Sequence, residues 1–184
     1  VSGAVKKNSP PTAPIVAAPK AGSATYNAQP RFLITTGTEP DGQVQQVYVK
    51  IGAAEWQDSV NNPERFSQGG YLENGVKTVF HPNYDLPAGS VTAMFRCLDE
   101  GISSSSPEVS CVFTVLASPF ESITEHETKV KAEHIRAIRE AVNAVRGYYG
   151  LAAANWSENI IVGKTAIKNW PYHILEIRAA LESV

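Results

Sequence analysis

Between Pro14 and Leu116 the chain consists of short apolar runs interrupted by Gly, Pro, Asn and Asp, the pattern of strands joined by tight turns. Seven segments read as strands: Ile15 to Lys20, Arg31 to Thr36, Gln45 to Ile51, Glu55 to Ser59, Val76 to His81, Ser90 to Leu98 and Glu108 to Leu116. The period of two is cleanest in the last pair, where Val91, Ala93, Phe95 and Cys97, then Val109, Cys111, Phe113 and Val115, mark the face turned to a core. Turn chemistry separates the runs. Glu39-Pro40-Asp41-Gly42 and Glu73-Asn74-Gly75 supply turn-forming and positive-φ residues, and Leu86-Pro87-Ala88-Gly89 ends a loop immediately before the sixth strand. The sixth and seventh strands are expected to pair as a hairpin; if Cys97 faces Cys111, the turn centres near Ser104 within the polar run Gly101 to Pro107.

After Ala117 to His126 the period changes from two to 3.6. Ile135, Ile138, Val142, Val145 and Tyr149 recur at steps of three and four, as do Ile167, Trp170, Ile174, Ile177 and Leu181. Two amphipathic helices follow. The first should stop at Gly147 or Gly150; the second should start at Asn169, with Pro171 tolerated in its first turn. A helical hairpin is expected, packed antiparallel through Ile138, Val142, Ile174 and Ile177. The connector Leu151 to Ala166 carries Trp156 and Ile160-Ile161-Val162, apolar enough to fold back over the pair. Both helices also contain one repeat: His134-Ile135-Arg136-Ala137-Ile138-Arg139-Glu140-Ala141-Val142 reappears as His173-Ile174-Leu175-Glu176-Ile177-Arg178-Ala179-Ala180-Leu181. The repeated positions are mostly those a helix buries, so the duplication specifies packing.

These patterns predict an α+β multidomain chain: an all-β immunoglobulin-like sandwich of about seven strands, then a small helical module. Residues 1–13, with Pro10-Pro11 and almost nothing to bury, read as a flexible leader. Residues 14–117 form the sandwich, 118–127 a linker and 128–184 the two-helix repeat module. The segment Leu86 to Phe113, in which a Leu-x-x-Gly turn precedes a long strand ending in Asp99, resembles the fibronectin type III or immunoglobulin-like modules of bacterial and phage surface proteins, over residues 14 to 116. It departs from them in the third strand, where their buried Trp is missing and Trp56 comes later. The C-terminal repeat resembles the His-Ile-x-x-(Leu/Ile)-Arg repeats at the ends of secreted bacterial and phage-associated proteins. Those resemblances imply a non-catalytic accessory module, extracellular, at a cell surface or on a virion, acting in binding, attachment or display. The partner would be a protein or glycan at that surface, and no cofactor is implied. A phage tail or fibre component is one alternative. A carbohydrate-binding accessory domain of a cell-wall or glycan-active enzyme is the other, with Trp56, Tyr71 and Tyr84 as a sugar platform.

Composition narrows the field further. The chain has 184 residues, 43% hydrophobic and 18% charged, with a net charge of −2 and no basic run longer than Lys6-Lys7, which argues against a nucleic-acid surface. No apolar stretch approaches the roughly 20 residues that span a bilayer, so membrane insertion is not expected.

Candidate chemistry is sparse. The sequence holds no Gly-x-Ser-x-Gly elbow, phosphate loop or His-Glu-x-x-His helix, so an enzyme is not expected. Glu39 and Asp41 follow the second strand while Asp99 and Glu100 follow the sixth, and those loops emerge at one end of a sandwich. The four carboxylates are the candidate binding residues; Ca²⁺ competes there with a plain solvated cluster, and the intervals match no known cation loop. Cys97 and Cys111 fit either a cross-strand disulfide or two buried thiols. No metal site is expected, since neither Cys-x-x-Cys spacing nor a flanking histidine occurs. His134 and His173 share one repeat position and are expected to satisfy helix-end groups or nearby carboxylates, and Arg139 and Arg178 to form ion pairs.

Overall fold

The computed structural model describes residues 9–40, 44–99, 104–117, 131–160 and 170–184. Nine strands precede two helices in it: β1 (Ile15–Ala18), β2 (Ala24–Thr25), β3 (Phe32–Thr35), β4 (Val44–Ile51), β5 (Gln57–Asp58), β6 (Leu72–Glu73), β7 (Lys77–Phe80), β8 (Gly89–Asp99), β9 (Val109–Val115), α1 (Ala132–Tyr148) and α2 (Trp170–Glu182). The chain is thus mostly β-sheet with two C-terminal helices, an α+β architecture. The expected fourth strand shrinks to Gln57–Asp58, and β2 and β6, two residues each, were not anticipated. Strands this short make too few alternations to leave a period.

One sheet has the order β1-β3-β7 and the other β2-β9-β8-β4-β5, with β6 also pairing β4. Neighbours are antiparallel except β2 beside β9. Alternate residues of both sheets enter one core. Phe32 of β3 sits at its centre, with ring centroids 6.0 Å from Phe80, 5.8 Å from Phe95 and 5.7 Å from Phe113. Val47 and Val49 of β4 are buried with them. Burial of this aromatic group stabilises the β region, since each ring removes a large apolar area from water.

The hairpin and its strand parity are as expected, but the register is not the one in which Cys97 faces Cys111. Cys111 lies opposite Ala93 in the β8–β9 pair, four residues along β8 from Cys97, which faces Val47 on the other side. An even shift leaves both thiols on the inner face, so the apolar alternation cannot detect it. Four residues of strand span about 13 Å, well beyond the roughly 7 Å that a disulfide bridges. Both cysteines are free and buried. Cys97 instead exchanges bonds with Ser106, whose backbone N–H donates to the Cys97 carbonyl at 2.8 Å and whose Oγ accepts from the Cys97 N–H at 2.9 Å. The Cys111 thiol donates to the Pro19 carbonyl at 3.1 Å.

The helix pair also differs from expectation. Arg139 of α1 reaches Glu176 of α2, and seven residues later Arg146 donates to the Ala180 carbonyl, so the helices run in the same direction. They are not an antiparallel hairpin, because the connector after Gly150 is long enough to return the chain to the starting end. Ile138 is half-buried, Val142 and Ile177 are buried, and Ile174 is 39% exposed. α1 ends at Tyr148, close to the expected glycines, and Gly150 takes a positive φ of 76°.

Tyr148 fastens α1 to the β region. Its ring belongs to the sheet core and stands edge-on to Phe113 at 6.2 Å. Its hydroxyl donates to the Arg31 carbonyl at 2.7 Å, and its own carbonyl accepts from the Lys20 N–H at 3.0 Å. The proposed linker, 118–127, and the leader before Ser9 lie outside the described residues.

Candidate functional site

The carboxylate pole expected from the loops takes a different form. Inward positions of β8 are the odd ones, and β8 extends one residue beyond the predicted end, so Asp99 follows Cys97 into the interior and is 8% exposed. Its cross-strand neighbour Gln45 is fully buried. Glu39 is 3% exposed and its backbone N–H donates to Asn74 Oδ1 at 2.7 Å. Gln45 Nε2 donates to the same Asn74 oxygen and to the Gly37 carbonyl, both at 2.9 Å. Two of the four candidate binding residues are therefore drawn into the end of the core, Glu39 tied by its backbone N–H to Asn74 and Asp99 beside Gln45 on the neighbouring strand. Asp41 and Glu100 lie outside the described residues. Among the described residues no three His, Cys, Asp or Glu side chains converge as metal ligands would, and no helix is long and apolar enough to cross a membrane.

A better-formed surface lies on the outer face of the larger sheet. The even residues Gln46, Tyr48 and Lys50 of β4 point away from the core, and the cross-strand pair Tyr48–Arg96 places a guanidinium beside a phenol ring. The Arg96 guanidinium carbon lies 4.4 Å from the Trp56 ring centroid and 5.3 Å from that of Tyr48. The two rings meet edge to face at 6.4 Å. Arg96 is also 3.7 Å from Glu108, the residue before β9, and the Tyr48 hydroxyl donates to Gln46 Oε1 at 2.7 Å. Cation–π contacts thus tie the Arg96 guanidinium to both rings. Tyr71, beside β6, is 46% exposed at the same edge. Partial burial raises the Tyr48 hydroxyl above its ordinary pKa; the negative charge of Asp58 and the nearby Tyr71 add to this, against Arg96. The phenol therefore remains a neutral hydrogen-bonding group. Of the three aromatics proposed as a sugar platform, the structure brings Trp56 and Tyr71 to one face. Tyr84 packs instead against the inner core. Tyr48 and Arg96 were missed, although the outward parity of β4 and β8 was available to find them.

The helical module carries the other notable geometry. Arg139 is 5% exposed and serves as a hub: it donates to the Glu158 carbonyl at 2.6 Å, to Glu176 Oε2 at 2.7 Å and contacts His173 Nδ1 at 3.0 Å. It also lies 4.9 Å from the Trp156 ring centroid. His173 is 1% exposed, with Glu158 Oε2 3.6 Å from its Nε2. His134, its repeat counterpart, accepts from the Lys131 N–H at 3.2 Å and so caps the start of α1. Both histidines thus serve structure, one at a helix end and one beside a carboxylate. Next to the hub a groove of about 470 Å³ is lined by Trp156, Arg136, Glu140, Asn143, Asn155 and Asn159.

No protein-family model matches the chain, and no curated protein matches it. Solved structures that match include chitinase ChiW from Paenibacillus sp. str. FPU-7, described as a bacterial cell-surface-expressed multi-modular enzyme machinery. The TM-score is 0.35 at 15% identity, over 61% of this chain and 9% of that one, so the chain spans a small part of its length.

Proposed function

We propose that this chain is a non-catalytic, immunoglobulin-like binding module that works outside the cell, at a cell or virion surface, and holds an extended glycan on the outer face of its larger sheet. One observation carries the reading: Trp56, Tyr48 and Arg96 stack into one strip, continued by exposed Tyr71, on the outward face of the sheet. Small-molecule sites are concave and enclose most of their ligand, whereas this face is an open surface suited to a polymer that lies along it. Aromatic rings fixed in place offer apolar area to the C–H faces of sugars at little entropic cost, and Gln46, Lys50 and Arg96 supply hydrogen bonds to hydroxyls.

The test is retention of the purified chain on a panel of insoluble polysaccharides, followed by affinity electrophoresis in soluble fragments. Trp56→Ala and Tyr71→Ala should each weaken binding by about tenfold or more, the effect of losing about 1.4 kcal/mol. Tyr84→Phe should bind as the parent does. Equal binding by all three variants, or no retention on any glycan, would remove the sheet face as a glycan site.

A further inference from the structure

Three residues form a row across one end of the smaller sheet. Phe32 of β3 pairs with Phe80 of β7, and Phe66, just after the short helical turn Pro63–Arg65, bridges Phe80 from the other side. All three rings are buried in the core. One step further along each segment come Arg31, His81 and Arg65, and the His81 N–H donates to the Arg65 carbonyl at 3.0 Å, so the three lie at one level with His81 in the middle. Successive residues of extended chain point to opposite faces, which sends this row to the outer side. There Arg31, Arg65 and His81 line a groove of about 430 Å³ together with Asn27, Gln29 and Asn83. Adjacent strands are about 4.8 Å apart, which sets the two arginine backbones roughly 10 Å from each other across the histidine.

Like charges on neighbouring strands work against a sheet, and the nearby acids do little to cancel these. Glu64, its side chain 64% exposed, engages Arg65 Nε at 3.2 Å, and Asp85 accepts from Gln29 Nε2 at 2.8 Å. Among the described residues neither the Arg31 guanidinium nor the His81 ring has a hydrogen bond or an ion pair. Burial, then the charges of Arg31 and Arg65, hold the His81 pKa below its ordinary 6.5. The ring is thus neutral near pH 7 and presents one N–H donor between two cations.

We propose that the row Arg31, His81 and Arg65 binds an oxyanion, the carboxylate or sulfate group of an acidic sugar. Guanidinium groups match either anion through paired N–H donors, and the imidazole adds a central one. The groove is larger than the anion itself, and the rest of its lining is mainly polar, with the amides of Asn27, Gln29 and Asn83 available to the hydroxyls of the ligand's body. An apolar ligand would find little surface to cover there. The site belongs to the smaller sheet, and the inference does not rest on the aromatic strip of the larger one.

The experiment uses the full chain and follows the His81 ring by proton NMR, its signal picked out among the four histidines by its loss in His81→Gln. Glucuronate, a glucose sulfate ester and plain glucose are titrated up to about 50 mM, a range that captures weak contacts. Ionic strength is held constant with chloride so that general screening does not change. At least one acidic sugar should shift the signal to saturation, its identity telling carboxylate from sulfate, and glucose should not. Arg31→Gln and Arg65→Gln should each weaken that binding by about tenfold, and Glu64→Gln, which frees Arg65 Nε, should strengthen it. Trp56→Ala should leave the titration unchanged, which separates this site from the aromatic strip. Thermal melting establishes that the variants are folded, and Arg31→Gln with Glu64→Gln, both at exposed positions, carry the test if Arg65→Gln does not fold. No saturable shift with either acidic sugar overturns the proposal. So does an equal shift with glucose, or an affinity that Arg31→Gln leaves unaltered.

Discussion

The repeat places an arginine at the same position in both helices, and the structure assigns the two very different energies. Arg139→Ala would strip a buried hub of contacts with Glu176, His173 and the Glu158 carbonyl, and of its stacking on Trp156. Removing one partner of a buried ion pair leaves the other groups desolvated and uncompensated, which costs about 3–5 kcal/mol. Arg178→Ala removes a pair with Glu182 whose side chains are 73% and 62% exposed. Such an i, i+4 pair contributes under about 0.5 kcal/mol. The difference of about 3 kcal/mol corresponds to roughly a hundredfold in the unfolding constant of the helical module. Urea titration followed by tryptophan fluorescence in a Trp56→Phe background reads the module through Trp156 and Trp170. Equal midpoints for the two variants would refute the reasoning, because they would show that Arg139 is as solvated as Arg178. The pH dependence gives a second check. Burial works against the Glu176 carboxylate, but hydrogen bonds from Ser157, the Arg139 guanidinium and the neighbouring His173 outweigh it and hold its pKa below the ordinary 4.5. A depressed carboxyl contributes stability above its unfolded pKa and loses it as pH falls through the folded value. Acid should therefore weaken the parent module more steeply than the Arg139→Ala variant.

Tyr148→Phe removes the hydrogen bond to the Arg31 carbonyl while keeping the ring against Phe113, and should cost about 1–2 kcal/mol, lowering the melting temperature by about 2–8 °C. Burial, with smaller contributions from Tyr149 and Cys111, raises the Tyr148 pKa above its ordinary 10.0. Its contribution to stability is thus complete below pH 10 and declines as pH rises beyond it, and the Phe variant should lack that part of the alkaline loss; parallel curves of melting temperature against pH would contradict this. Burial also pushes the Cys97 thiol up to about 11. Native chain should react negligibly with a thiol reagent near neutral pH and reveal two thiols per chain in denaturant; none in denaturant would mean a disulfide and a wrong β8–β9 register.

Much of this molecule was legible in local chemistry. Alternation of Val91, Ala93, Phe95 and Cys97 identifies the buried face of β8, and the 3.6-residue period identifies α1 and α2, because side-chain direction follows directly from backbone period. The same parity, carried one residue further, would have placed Asp99 inside rather than in a binding loop. The aromatic strip was partly readable: Trp56 and Tyr71 were expected at a surface, but their meeting with Tyr48 and Arg96 joins four segments distant in sequence. Local pattern thus sets which residues face a core and where strands give way to helices. Tertiary structure alone decided the offset of Cys111 from Cys97, since a two-residue period is blind to even shifts. It also decided the parallel course of the helices, which rests on how far the connector returns. Above all, it decided that matching positions of the two repeats have unlike surroundings. His173 and Arg139 are buried while His134 and Arg178 are not, because each helix turns a different face of the same motif to its neighbour.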